Sequence, residues 1–124
     1  MDLWTIQMAK WRIARDLEIT FLDTTVKSGD SVFAPSWEIV LGVKSGAITP
    51  DEYTVVYTQL MRESYRNNKQ RWLEVANTEQ VAFACYCPEG HFCHRHILAH
   101  MFDRVCQQNG IRFKLRGELS RRQG

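Results

Sequence analysis

A chain of 124 residues with 44% hydrophobic side chains and a mean hydropathy of -0.35 has the make-up of one soluble domain that buries its own core. Sixteen Lys and Arg against fourteen Asp and Glu leave a net charge of +2, too little to argue for nucleic acid, and no run approaches the ~20 apolar residues of a membrane span. The opening Met1 to Arg12 lacks the order of a secretion signal, so the expected setting is cytoplasmic, where four cysteines read as reduced thiols or metal ligands rather than disulfides.

Leu3 to Met8 alternates as a first strand, and Ala9 to Glu18 follows as a short helix with Trp11, Ile13, Ala14 and Leu17 toward one side. Ile19 to Val26 is β-branched and aromatic, a second strand ended by the turn residues Lys27-Ser28-Gly29-Asp30, which sets Asp23, Thr24 and Thr25 near its C-terminal end. Ser31 to Ala47 is irregular around one short helix near Trp37 to Leu41, and it is the expected flap over a site. Thr49-Pro50-Asp51-Glu52 is a capping box with proline at the first helical position, opening a helix to about Tyr65. Lys69 to Ala76 reads as another. Gln80 to Cys87 is apolar throughout, a central strand covered on both faces; its helix starts around Cys93 and stops at Asn109-Gly110. Ile111 to Leu115 closes the chain as an edge strand. The fold expected is a small three-layer α/β sandwich, a mainly parallel four-stranded sheet flanked by helices, in a single domain over 1–124 with a flexible basic tail from about 119.

Chemistry concentrates between Val81 and Met101, where three of the four cysteines and all four histidines fall. The start of the Cys93 helix offers unpaired N–H groups and a positive dipole end, and Arg95 in its first turn adds a bidentate donor for an anion. The same field favours a Cys93 thiolate beside His94, so a nucleophile at Cys93 or Cys87, with His94 as base and Asp23 orienting, is the catalytic version. Zinc is the alternative: Cys85, Cys87 and Cys93 with His91, or with His94 or His96, supply enough ligands. The spacing completes no usual knuckle, so no metal or other cofactor is favoured. Cys85 and Cys106 also read as core thiols, and His96 and His100 as a solvated face with Asp103. A first-turn arginine opposes the helix dipole unless an anion or a buried carboxylate answers it, and Asp23 is the candidate carboxylate.

These residues resemble the bacterial and phage proteins of the domain of unknown function 488 family. The likeness rests on Leu3-Trp4-Thr5-Ile6 at the start, Asp23 at the family's Asp-Val-Arg aspartate, Cys85 at its first late cysteine, and Cys93-His94-Arg95 at its Cys-His-Arg triplet. Gly117-Glu118-Leu119 resembles the family's closing strand end. Cys87 stands where relatives carry glutamate, and Thr25 stands where they carry the arginine, with Lys27 the nearest cation. The stretch from Thr24 to Trp37 is similar to the phage-associated branch. The resemblance implies an α/β fold with a site at the triplet, and no settled activity.

The expected partner is a small phosphate-bearing molecule, a nucleotide or nucleotide derivative, held at the C-terminal ends of the strands. Arg95 and the helix N-terminus would take the anion, beside Thr24 and Thr25. Lys10, Arg12 or Lys27 would add charge, and Trp11, Phe33 or Trp37 a stacking surface. No membrane partner is expected. A zinc-stabilised interaction module, associated with nucleic acid, is the alternative.

Overall fold

The computed structural model describes residues 1–87 and 92–121. Its sheet holds β1 (Asp2–Gln7), β2 (Thr20–Asp23), β3 (Gln80–Cys85) and β4 (Lys114–Glu118), all parallel, in the order β2-β3-β1-β4. The helices are α1 (Trp11–Asp16), after a 3-10 turn at Met8–Lys10, then α2 (Trp37–Ser45), α3 (Pro50–Asn67), α4 (Lys69–Ala76) and α5 (His94–Gln108). The expected α/β class, parallel sheet, central β3 and edge position of the last strand all hold. None of the helices among the described residues is long and apolar enough to cross a membrane.

Alternation along the strands sends side chains into two cores. Leu3, Val81 and Phe83 point to the side of α3, α4 and α5, where they meet Tyr57, Trp72 and Phe102. The Phe102 ring stacks on Trp72 at 4.7 Å and meets Phe83 at 5.2 Å. Trp4, Ile6, Ala82 and Ala84 point the other way, against Ala14, Ile19 and Leu119. Each large side chain so buried contributes about 1.5–3 kcal/mol, which outweighs the weak propensity of an element as short as α1.

Boundaries differ from the sequence expectation where the backbone finds local partners. β2 ends at Asp23, not Val26, because the Asp23 Oδ1 accepts the Thr25 N–H at 2.8 Å and turns the chain. Gly29 closes that turn: a Cβ there would lie 2.5 Å from the Asp23 carbonyl oxygen and the Thr25 nitrogen, so no side chain fits. α2 runs beyond Leu41 to Ser45, capped by Ser36 at its start and by Gly46 in the left-handed conformation (φ 79°) at its end. The capping box of α3 forms as read, Thr49 Oγ1 accepting from Glu52 N at 3.1 Å and Glu52 Oε1 from Thr49 N at 3.0 Å. β4 starts at Lys114 rather than Ile111, because the Ile111 N–H caps α5 on Cys106 O at 2.9 Å. Leu119, where a flexible tail was expected to begin, is buried, and its N–H continues the sheet to Thr5 O at 2.8 Å.

Candidate functional site

β1 is followed by α1 on one sheet face, and β3 by α5 on the other, so the crevice of this parallel sheet opens at the C-terminal ends of the strands. β2 delivers Asp23, Thr24 and Thr25 there, β3 delivers Cys85, and α5 starts with Cys93 as its N-cap and His94 as its first residue.

His94 is buried, and its bonds define its tautomer. Nε2 lies 2.8 Å from the Thr24 carbonyl oxygen, an atom that only accepts, so Nε2 carries the proton. The Thr24 hydroxyl, 3.0 Å from the same nitrogen, sends its own hydrogen to Ala84 O at 2.9 Å. Nδ1 keeps a free lone pair 3.8 Å from Cys93 Sγ. Burial lowers the His94 pKa to about 4; Arg95 and His96 push the same way, while the Thr24 bond and Asp23 oppose. That value decides a chemical question. An imidazole whose pKa lies so far below the ordinary value is a weak base for Cys93. It serves better as the tie between β2 and α5. Thr24, not Asp23, orients it.

Arg95 is the largest departure from the anion expectation. Its side chain is fully buried, and Nη2 donates to Glu118 Oε2 at 3.0 Å. Nη1 donates to Cys85 Sγ at 2.7 Å and to Cys87 O at 2.9 Å. The guanidinium therefore spans from β3 to β4 and does not line the cavity described below. The carboxylate that answers it comes from β4, while the Asp23 carboxylate is committed to Thr25 N–H and to Ser28 Oγ at 2.5 Å.

Cys85 and Cys93, expected as separate reduced thiols, have their sulfurs at disulfide distance. Their Cα atoms are 7.7 Å apart, beyond the ~4.4–6.8 Å span usual for a bridge. The ligand atoms of Cys85, Cys93 and His94 all lie within 4.8 Å of one another. Cys106 is the core thiol expected, packed near Met1. His91 lies outside the described residues, so the ligand set that included it has no geometry here.

A cavity of about 350 Å³ opens beside this corner. α2 covers it as the expected flap, presenting Trp37 and Lys44; the loop after β2 presents Thr25 and Lys27. Cys85, Cys87, Cys93 and His94 form the other wall. The lining holds two lysines and no carboxylate among the described residues, so the cavity carries a positive bias. Tyr53 and Phe92 add ring surface, meeting edge to face at 5.2 Å. Burial, with the Cys87 charge adding, raises the Tyr53 hydroxyl pKa above its ordinary value, so it remains a donor.

Thus Thr25, Lys27, Trp37, Cys87, Cys93 and His94 are brought together, and Thr24 stands behind them. Phe33 is not a stacking surface: it is fully buried, 5.1 Å from Trp72 and 5.7 Å from Phe102. Lys10, Trp11 and Arg12 lie exposed at the start of α1, outside the cavity lining, with Arg12 stacked on Trp11 at 4.6 Å. Tyr53, Phe92, Lys44 and Glu118 went unassigned in sequence. Tyr53 reads as one more apolar position of a capped helix, and Lys44 as a solvated charge near a glycine stop.

Parallel strands, helices on both faces and a cavity at the strand ends define a small doubly wound α/β architecture. The chain belongs to the DUF488 family: the family model described as the active DUF488-N3 subclade matches residues 7–105, about four fifths of the chain. That span takes in Cys93, His94 and Arg95 and stops short of Glu118. Comparison with curated proteins and with solved structures finds no match.

Proposed function

We propose that the cavity beside Cys93 and His94 binds a small molecule joining a flat ring to an anionic group, a nucleotide or nucleotide derivative. The observation that carries this reading is the lining: Lys27 and Lys44 with no opposing carboxylate among the described residues, next to the rings of Trp37, Tyr53 and Phe92. A volume of about 350 Å³ suits a mononucleotide-sized ligand rather than a polymer. The anion is met by the two lysines and the Thr25 hydroxyl instead of Arg95. Binding is the supported activity, because a His94 of pKa about 4 supplies little base catalysis at neutral pH.

Calorimetric titration with nucleoside mono- and diphosphates is expected to give saturable binding. The Lys27→Ala/Lys44→Ala double variant weakens it at least about tenfold, the loss of roughly one charge-assisted contact. Trp37→Ala weakens nucleotides but leaves the affinity for inorganic phosphate unchanged. Absence of saturable binding by any nucleotide overturns the reading.

A second reading follows from the clustered donors of Cys85, Cys93 and His94. With Nε2 holding the proton, Nδ1 is the ligating atom, and Thr24 is the outer partner that fixes the ring. All three residues line the cavity, so a zinc ion held by them takes its fourth ligand from there. Elemental analysis decides it. About one zinc per purified chain, lost in Cys93→Ser, supports a metal centre; a zinc-free chain that folds and binds nucleotide excludes it.

A further inference from the structure

Along their C-terminal halves α3 and α5 leave a groove of about 800 Å³ that shares no lining residue with the cavity. Its charge is unlike that of the remaining surface. Arg15, Arg71, Arg95, Arg112, Arg116 and Arg121 each pair with a carboxylate. Arg12 stacks on Trp11 instead. Among the described residues the remaining arginines are Arg62, Arg66 and Arg104, none with a carboxylate partner, and all three line this groove. Arg62 and Arg66 stand one turn apart on α3, and Arg104 faces them from α5. One acid, Glu63, shares the groove with them. Met101, Val105 and Tyr65 supply an apolar floor between the charged banks.

We infer that this groove docks an acidic amphipathic segment of a partner protein, its apolar side on the floor and its carboxylates on the three guanidinium groups. Leaving three arginines on one face unpaired costs the chain attraction that its other arginines obtain internally, and an acidic partner restores it. The floor favours a peptide over a nucleic-acid backbone. A phosphate strand gains little from the aliphatic side chains of Met101 and Val105, whereas an amphipathic peptide buries its apolar side on them. The site is separate from the ligand cavity and does not depend on what that cavity holds.

The test uses the full chain and a fluorescent helical peptide with leucine at i, i+3, i+4 and i+7 and glutamate elsewhere. A scrambled peptide of equal composition and a single-stranded oligonucleotide serve as comparisons. Anisotropy is expected to show the patterned peptide binding at least about tenfold more tightly than either, with affinity falling as salt rises. Arg62→Glu/Arg66→Glu and, separately, Arg104→Glu reduce binding about tenfold or more, while Lys27→Ala/Lys44→Ala leaves it unchanged. Among the described residues the three arginines have no carboxylate partner, so Arg104→Glu melts close to the parent, and Arg62→Ala/Arg66→Ala, which adds no acid at the end of α3, reproduces the loss of binding. Equal binding of the scrambled peptide, tighter binding of the oligonucleotide, or peptide affinity unaffected by the arginine variants overturns the inference.

Discussion

Glu118→Gln is expected to destabilise the chain by about 3–5 kcal/mol, a fall in melting temperature of roughly 10 °C or more. Its carboxylate is the charge that answers Arg95, whose side chain is 0% exposed against 14% for Glu118. A guanidinium stays protonated in any protein environment, so removing the carboxylate leaves a full charge in the core. The remaining partners, Cys85 Sγ and Cys87 O, are a soft sulfur and a neutral carbonyl. Arg95 Nε and Glu118 Oε1 have no hydrogen-bond partner among the described residues, so the pair is already incompletely satisfied. For that reason Arg95→Met/Glu118→Leu should cost clearly less than the two single changes added together, since two apolar side chains leave no stranded charge. Urea melts of the four proteins give the coupling. A Glu118→Gln variant within about 1 kcal/mol of the parent would show that something other than Glu118 neutralises Arg95, and the anion-facing role expected from the sequence would return.

That role illustrates which parts of the site the sequence carries. Cys93-His94-Arg95 is legible as the opening of a helix after a buried strand, because apolar runs, a turn and helical spacing are local signals. The side to which Arg95 points is not. Its partner is 23 residues away on a strand reached only after α5 crosses β1, and strand order is a property of packing rather than of any segment. Asp23 looked available because a carboxylate at a strand end invites a long-range partner. The Thr25 amide and the Ser28 hydroxyl satisfy it within five residues instead, a pattern that the Asp-Thr-Thr-Val-Lys-Ser-Gly run does encode. Phe33 misled for the opposite reason: its neighbours read as loop, and a loop aromatic reads as exposed. The Tyr57 hydroxyl holds the Phe33 carbonyl at 2.6 Å and draws the ring into the core of α3, α4 and α5. Trp37 and Lys27 do line the cavity, since each stands at a break between elements where side chains face a crevice.

Acid is expected to weaken the fold through His94 more than through His96. Its pKa of about 4 lies below the ordinary 6.5 because burial penalises the imidazolium, so between those values the unfolded chain binds a proton that the folded chain does not. The stabilisation is full above pH 6.5, declines as pH falls, and is lost once pH passes below about 4. From pH 7 to pH 4.5 the loss is about 2–3 kcal/mol. His96 is shifted in the same direction, first by burial and then by Arg95, but it is exposed and cannot account for a loss of that size. His94→Gln isolates the effect, its amide nitrogen standing where Nε2 does. Its amide N–H can still donate to the Thr24 carbonyl, and it has no proton to gain in this range. The variant should start less stable at pH 7, having lost the ring's contact with Tyr57 at 5.4 Å, and then change less with pH than the parent. Urea melts in chelator, at half-unit steps from pH 7 to pH 4.5, would show the two stability curves converging. Parallel curves would mean that His94 titrates normally in the folded chain. The argument against it as a base would then lapse.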